Sequence, residues 1–112
     1  MVRDTVFKIF LTAEIVHFIE HGEYSGSADD RRDGFIHLSA GDQVRGTINV
    51  HFADKAGLFL GRCRAATLGS ALKWEPSRGG SLFPHLYRSL TMSDVEVIIP
   101  VPAILDGWDF NF

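Results

Sequence analysis

Apolar and polar positions change period along the chain, and each change predicts an element. Residues 6–11, VFKIFL, are rich in β-forming side chains and predict a first strand. Thr12 is placed to cap a helix with Glu14 in its first turn. Ile15, Phe18 and Ile19 then share one helical face until Gly22 ends it. Residues 23–34, EYSGSADDRRDG, combine turn residues and charges without an apolar period and predict a polar loop.

A strand follows at 35–38, and Ser39 closes it as the expected N-cap of a second helix. Asp42 sits where a weak capping box needs an acid, and Val44, Ile48 and Phe52 form an apolar stripe at intervals of four. Strands are predicted at 58–62 and 95–101 and a short extended piece at 72–75, with the loop PSRGGS at 76–81. Residues 83–87 are extended, because Pro84 excludes a helix there. The tail DGWDF, 106–110, reads as a turn with an aromatic anchor. Helices come early and strands late, so the order predicts an α+β fold with two N-terminal helices, not a doubly wound parallel sheet.

Length and composition narrow this further. The 112 residues predict one domain, 1–112, large enough to bury a core without disulfides or metal. Fourteen acids against eleven bases give a net charge of −3, which disfavours broad nucleic-acid binding through phosphate neutralisation but leaves a local basic pocket open. Cys63, the single cysteine, reads as a reduced, buried filler. No stretch approaches the roughly 18 apolar residues of a membrane span. No signal-peptide core follows the N-terminus, so the expected location is the cytoplasm.

The candidate chemistry lies in two strands. In FIHLS, 35–39, alternation puts Phe35, His37 and Ser39 on one face, with Ile36 and Leu38 turned to the core. In FPHLY, 83–87, Phe83, His85 and Tyr87 share a face in the same way. If the strands are neighbours, His37 and His85 line one aromatic-walled pocket. KWEPSRGG, 73–80, lies between them and offers Trp74, Glu75 and Arg78; a glycine-rich loop with an arginine suits close approach to a phosphate or carboxylate. Arg31 and Arg32 are further candidate anion contacts, and Gln43 is a candidate to face the same cleft. Most of these have a plainer alternative. The histidines serve a backbone carbonyl or a turn, Glu75 pairs with Arg78, Arg78 is solvated, Gln43 is a surface residue, and Trp74 and Tyr87 are core or rim. Neither GxGxxG nor GxxxxGK[ST] is present.

Together, GEYSGSADDRRDGFIHLS, the following DQV and LKWEPSRGGSLFPHLY resemble a bacterial family of small proteins, the domain-of-unknown-function family 952, from Val6 to about Gly107. That family is similar in fold to the ADP-ribosyltransferases, above all the RNA 2′-phosphotransferase branch, where a His-Val-His-Leu-Ser strand precedes a helix. The resemblance implies two small, mostly antiparallel sheets with a cleft that binds NAD or an ADP-ribose-like nucleotide. His37 and Ser39 match the His-Leu-Ser portion. The transferases' first-strand motif falls near Phe7-Lys8-Ile9, where this chain has neither its histidine nor its glycine, and Glu75 is the nearest candidate for their late acid.

Three functions follow as expectations. In the first, His37 and Ser39 hold a ribose or base, and Tyr87 or Trp74 stacks on a ring. Arg78, with Arg31 or Arg32, binds phosphate, and Glu75 stabilises positive charge in a transferase. In the second, His37, His85 and Glu75 form an open zinc or iron site. In the third, the same faces serve a non-catalytic module that recognises a metabolite or protein.

Overall fold

The computed structural model describes residues 3–102, 105 and 108. Most of the predicted tail turn at 106–110 therefore lies outside the described residues. The elements are β1 (Thr5–Phe10), α1 (Thr12–His21), β2 (Glu23–Tyr24), α2 (Ala28–Asp33), β3 (Ile36–His37), β4 (Ser39–Ala40) and α3 (Val44–His51). They continue with β5 (Phe59–Arg64), α4 (Ala65–Leu68), β6 (Leu72–Pro76), β7 (Leu82–Leu86), β8 (Leu90–Thr91) and β9 (Val95–Pro100). The class is α+β. A four-stranded sheet runs β4-β1-β5-β9, a three-stranded sheet runs β3-β7-β6, and β2 pairs with β8; every pairing is antiparallel.

β1 is buried on both faces. Phe7 and Ile9 pack with Leu60 and Ile99 under Val44 and Ile48 of α3. Val6 and Phe10 pack on the other side with Ile15 and Phe18 of α1 and with Ile36, Leu38 and Leu86 of the three-stranded sheet. Phe10 stacks on Phe18 with centroids 5.5 Å apart and meets Tyr24 edge-on at 5.1 Å. Cys63 lies fully buried in this second layer, although Arg62 and Arg64 flank it in the sequence. Burial pushes its thiol up to about 12. A neutral reagent such as iodoacetamide at pH 8 is expected to leave the native thiol unmodified and to label it fully in urea, as read by mass; rapid native labelling would contradict this placement.

Three local expectations need correction. Residues 23–34 are not a loop throughout. Ser27 caps α2, its Oγ accepting from the Asp30 amide at 3.1 Å while Asp30 Oδ2 accepts from the Ser27 amide at 2.9 Å. Gly34, at φ 87°, ends the helix. Ser39 is not a helix cap; it pairs with Phe7 as part of β4, and a 3₁₀ turn at Gly41–Gln43 precedes α3. Asp42 bonds Arg3 at 2.7 Å instead of completing a capping box. Thr12 is the first helical residue, and Glu14 caps the Leu11 amide at 2.8 Å. Among the described residues, no helix is long and apolar enough to cross a membrane.

Candidate functional site

Residues 36–40 cross from one sheet to the other, and this crossing builds the site. Ile36 and His37 pair with Leu86 and His85 of β7; Ser39 and Ala40 pair with Phe7 and Val6 of β1. His37 and His85 are therefore direct cross-strand partners, their rings meeting edge-on at 5.7 Å. Phe35 stacks on His85 at 3.9 Å and lies 5.3 Å from the Tyr87 ring. A pocket of about 260 Å³ opens at the junction of the sheets, walled by α2, α3, residues 37–39 and the loop at 77–78, with Phe83 and His85 from β7.

The two histidines have different surroundings. His37 Nδ1 lies 2.6 Å from Asp30 Oδ1, and its Nε2 lies 3.0 Å from Asp33 Oδ2. A carboxylate oxygen only accepts, so both contacts are filled together only when both ring nitrogens carry protons. Asp30 is 2% exposed and also accepts from the His37 amide at 3.1 Å and from Lys8 Nζ at 3.0 Å. Burial pushes the Asp30 carboxyl up, but the His37 bond, the Lys8 charge and the Ser27 and His37 amides outweigh it and hold it well below the usual carboxylate range. Lys8 Nζ also donates to the His37 carbonyl at 3.3 Å.

His85 uses one nitrogen only. Its Nδ1 lies 2.8 Å from Glu75 Oε1, which also accepts from Tyr87 OH at 2.7 Å. The Tyr87 bond first and the His85 bond second hold the Glu75 carboxyl below its usual range; the same Glu75 contact raises the Tyr87 hydroxyl. Glu75 is thus a carboxylate that accepts, and His85 Nδ1 donates. Among the described residues Nε2 has no hydrogen-bond partner; it is buried, in a side chain only 6% exposed that lines the pocket.

A family model described as "Protein of unknown function (DUF952)" matches residues 9–98. The chain belongs to the DUF952 family. It is similar to protein CC0527 from Caulobacter crescentus, at 45% identity to the crystal structure, with a TM-score of 0.84 over 88% of this chain and 86% of that one. The solution NMR structure of CC0527 gives 45% identity and a TM-score of 0.81, over 92% and 89%. No curated protein sequence matches the chain.

In this DUF952 protein the predicted residues separate into groups. His37, His85, Ser39, Arg32 and Arg78 line the pocket. Ser39 Oγ lies 3.2 Å from Thr47 Oγ1, and Arg32 is held by Asp29 at 3.1 Å and Asp33 at 3.0 Å. Glu75 and Tyr87 stand outside the lining and reach it through His85. Gln43 is turned away: its Oε1 accepts from the Ala40 amide at 2.9 Å and its Nε2 donates to the Leu82 carbonyl at 2.8 Å. Trp74 packs against the core beneath Arg3, and Arg31 is exposed on α2 outside the pocket lining. The metal arrangement does not fit. Both His37 nitrogens and His85 Nδ1 already meet carboxylates, and among the described residues no three His, Cys, Asp or Glu side chains are grouped to hold an ion.

Sequence reasoning missed Lys8, Asp30, Asp33, Thr47 and His51, which build or line the same place. One signal was available. A lysine inside VFKIF must find a counter-charge if the strand is buried on both faces, and the acids of residues 29–33 are candidates for it.

Proposed function

We propose that the pocket binds a nucleotide-type ligand of the NAD or ADP-ribose class, on a fold related to that of the ADP-ribosyltransferases. The ring of His85 carries this reading: Nδ1 is held by Glu75, and Nε2 is buried in the pocket wall without a partner among the described residues. Such a group costs about 1–3 kcal/mol while unsatisfied, and a ligand donor offsets that cost. Arg78 suits phosphate, with its guanidinium 5.0 Å over the Phe83 ring. The Ser39 and Thr47 hydroxyls suit a sugar. The resemblance of Phe35–Ser39 to the phosphotransferase strand supports the same assignment. Glu75 then acts as a positioning residue through His85 instead of touching the ligand.

NMR titration of the full chain with ADP-ribose and NAD tests this reading. The expected shifts centre on the rings of His37 and His85 and the amides of Ser39, Thr47 and Arg78, and Arg78→Gln weakens binding about tenfold. Absence of shifts at millimolar ligand would remove the proposal. Mass analysis of the recovered ligand separates the remaining classes: altered ligand marks a transferase, intact ligand a binding module.

A further inference from the structure

We infer that the unit seated in the pocket is a single sugar phosphate, of ribose 5-phosphate size, with its phosphate at Arg78 and a hydroxyl at His85. The inference rests on the pocket being a ligand site and narrows what occupies it. Volume sets the first limit. The pocket holds about 260 Å³, below the roughly 300–1,000 Å³ common for drug-sized ligands, and a dinucleotide is larger than that class. At most one end of such a molecule is enclosed.

Charge sets the second limit. Lys8 is committed to Asp30, and Arg32 to Asp29 and Asp33. His37 stands between Asp30 and Asp33. Among the described residues, Arg78 has no carboxylate partner; its Nη1 lies 3.4 Å from Thr47 Oγ1. The guanidinium of this exposed side chain lies close to α3: a Cβ at Gly46 would stand 3.1 Å from Arg78 Nη2. One uncommitted cation matches one phosphate. The second phosphate of a pyrophosphate would meet Asp29 and Asp33 in the same wall, with Asp30 behind Lys8 and His37.

Hydrogen-bond polarity sets the orientation. With Glu75 accepting at Nδ1, a neutral ring has a bare lone pair at Nε2, buried at the pocket wall, and a ligand reaches it by displacing the contact that covers it. A sugar hydroxyl donates to that lone pair, whereas an unprotonated phosphate oxygen is repelled by it. The phosphate is thereby directed to Arg78 and the sugar to His85.

The test is calorimetry on the full chain with inorganic phosphate, ribose 5-phosphate and ADP-ribose. Ribose 5-phosphate is expected to bind about tenfold or more tighter than inorganic phosphate, the value of one good hydrogen bond to a buried acceptor, and no more weakly than ADP-ribose. Arg78→Gln should weaken both small ligands, whereas His85→Phe should remove only the advantage of the sugar. Replacing a buried ring can unfold the chain, so ring ¹⁵N spectra of the unsubstituted protein give a second readout. The Nε2 signal should move with ribose 5-phosphate and stay with inorganic phosphate; movement with neither would overturn the inference. ADP-ribose binding tenfold tighter than ribose 5-phosphate would overturn it too, while leaving the nucleotide reading intact. Ribose 5-phosphate binding without ADP-ribose binding would do the reverse, and no binding by any of the three would remove both.

Discussion

Asp30→Asn is expected to destabilise the fold by about 3–5 kcal/mol, because it leaves the Lys8 ammonium without its counter-charge in a buried site. The pair is closed off from water, with side chains 7% and 2% exposed. Asp30 also holds two groups of His37 and the Ser27 amide, so one substitution loosens β1, α2 and β3 together. For a chain of this length the loss lowers the midpoint of thermal unfolding by on the order of 15 °C. A second change, Lys8→Met, should recover part of it, because the stranded charge is then gone. The acid limb of stability carries the same signature. The folded carboxyl is held below its unfolded range, so between the two the unfolded chain binds the extra proton and stability falls as the pH is lowered. Asp30's contribution is complete above about pH 5, and is lost progressively as pH drops through the unfolded value near 3.9 toward the folded one. Asp30→Asn should flatten this limb in urea melts taken across the acid range. An unchanged limb, or a loss under 1 kcal/mol, would mean that the pair is not the anchor described.

The second large effect is expected at Gly26→Ala. Gly26 has φ 115°, a conformation that side-chain-bearing residues rarely adopt, and its added Cβ would stand 2.7 Å from the Cβ of Asp30. Strain of this kind costs of order 1–3 kcal/mol before the contact is relieved, so a loss of about 2 kcal/mol or more is predicted. Relief requires Asp30 to move, and with it the carboxylate beside Lys8 and His37. Gly26→Ala should therefore keep an acid limb, since the carboxylate survives, while shifting the His37 ring signals. A variant as stable as the parent with unshifted His37 signals would refute the close approach. The two substitutions thus separate the charge of Asp30 from its placement.

Much of this arrangement is legible in the sequence, and the gaps have physical causes. The alternation in FIHLS and FPHLY correctly turns Ile36, Leu38 and Leu86 to the core, and it brings His37 opposite His85 once the strands pair. The pairing itself is long-range and has no local signal. α2 escapes notice because one alanine followed by five charged residues shows no apolar period; only the Ser27–Asp30 box and Gly34 mark its ends. Ser39 satisfies the local rule for a cap, yet strand pairing with Phe7 decides its conformation. Trp74 could have been separated from Glu75 by the period of two alone, since neighbours on a strand face opposite ways. Which histidine keeps an unused nitrogen depends on carboxylates from other elements, and no spacing within either strand encodes that.

The crossing at residues 36–40 makes chain length itself a constraint. His37 is fixed in one sheet and Ser39 in the other, with the Leu38 amide donating to the Pro84 carbonyl at 3.0 Å between them. Alternation acts here like a reading frame shared by two ladders. Inserting or deleting one residue would preserve composition but shift the parity of one half against the other, turning either the histidine or the serine inward. A shift of two would restore parity but move the turn before α3 by the length of two strand residues, roughly 7 Å. Variation in this stretch is therefore confined to substitution, and the same rigidity prevents the two sheets from parting at this wall of the pocket without giving up pairs in both.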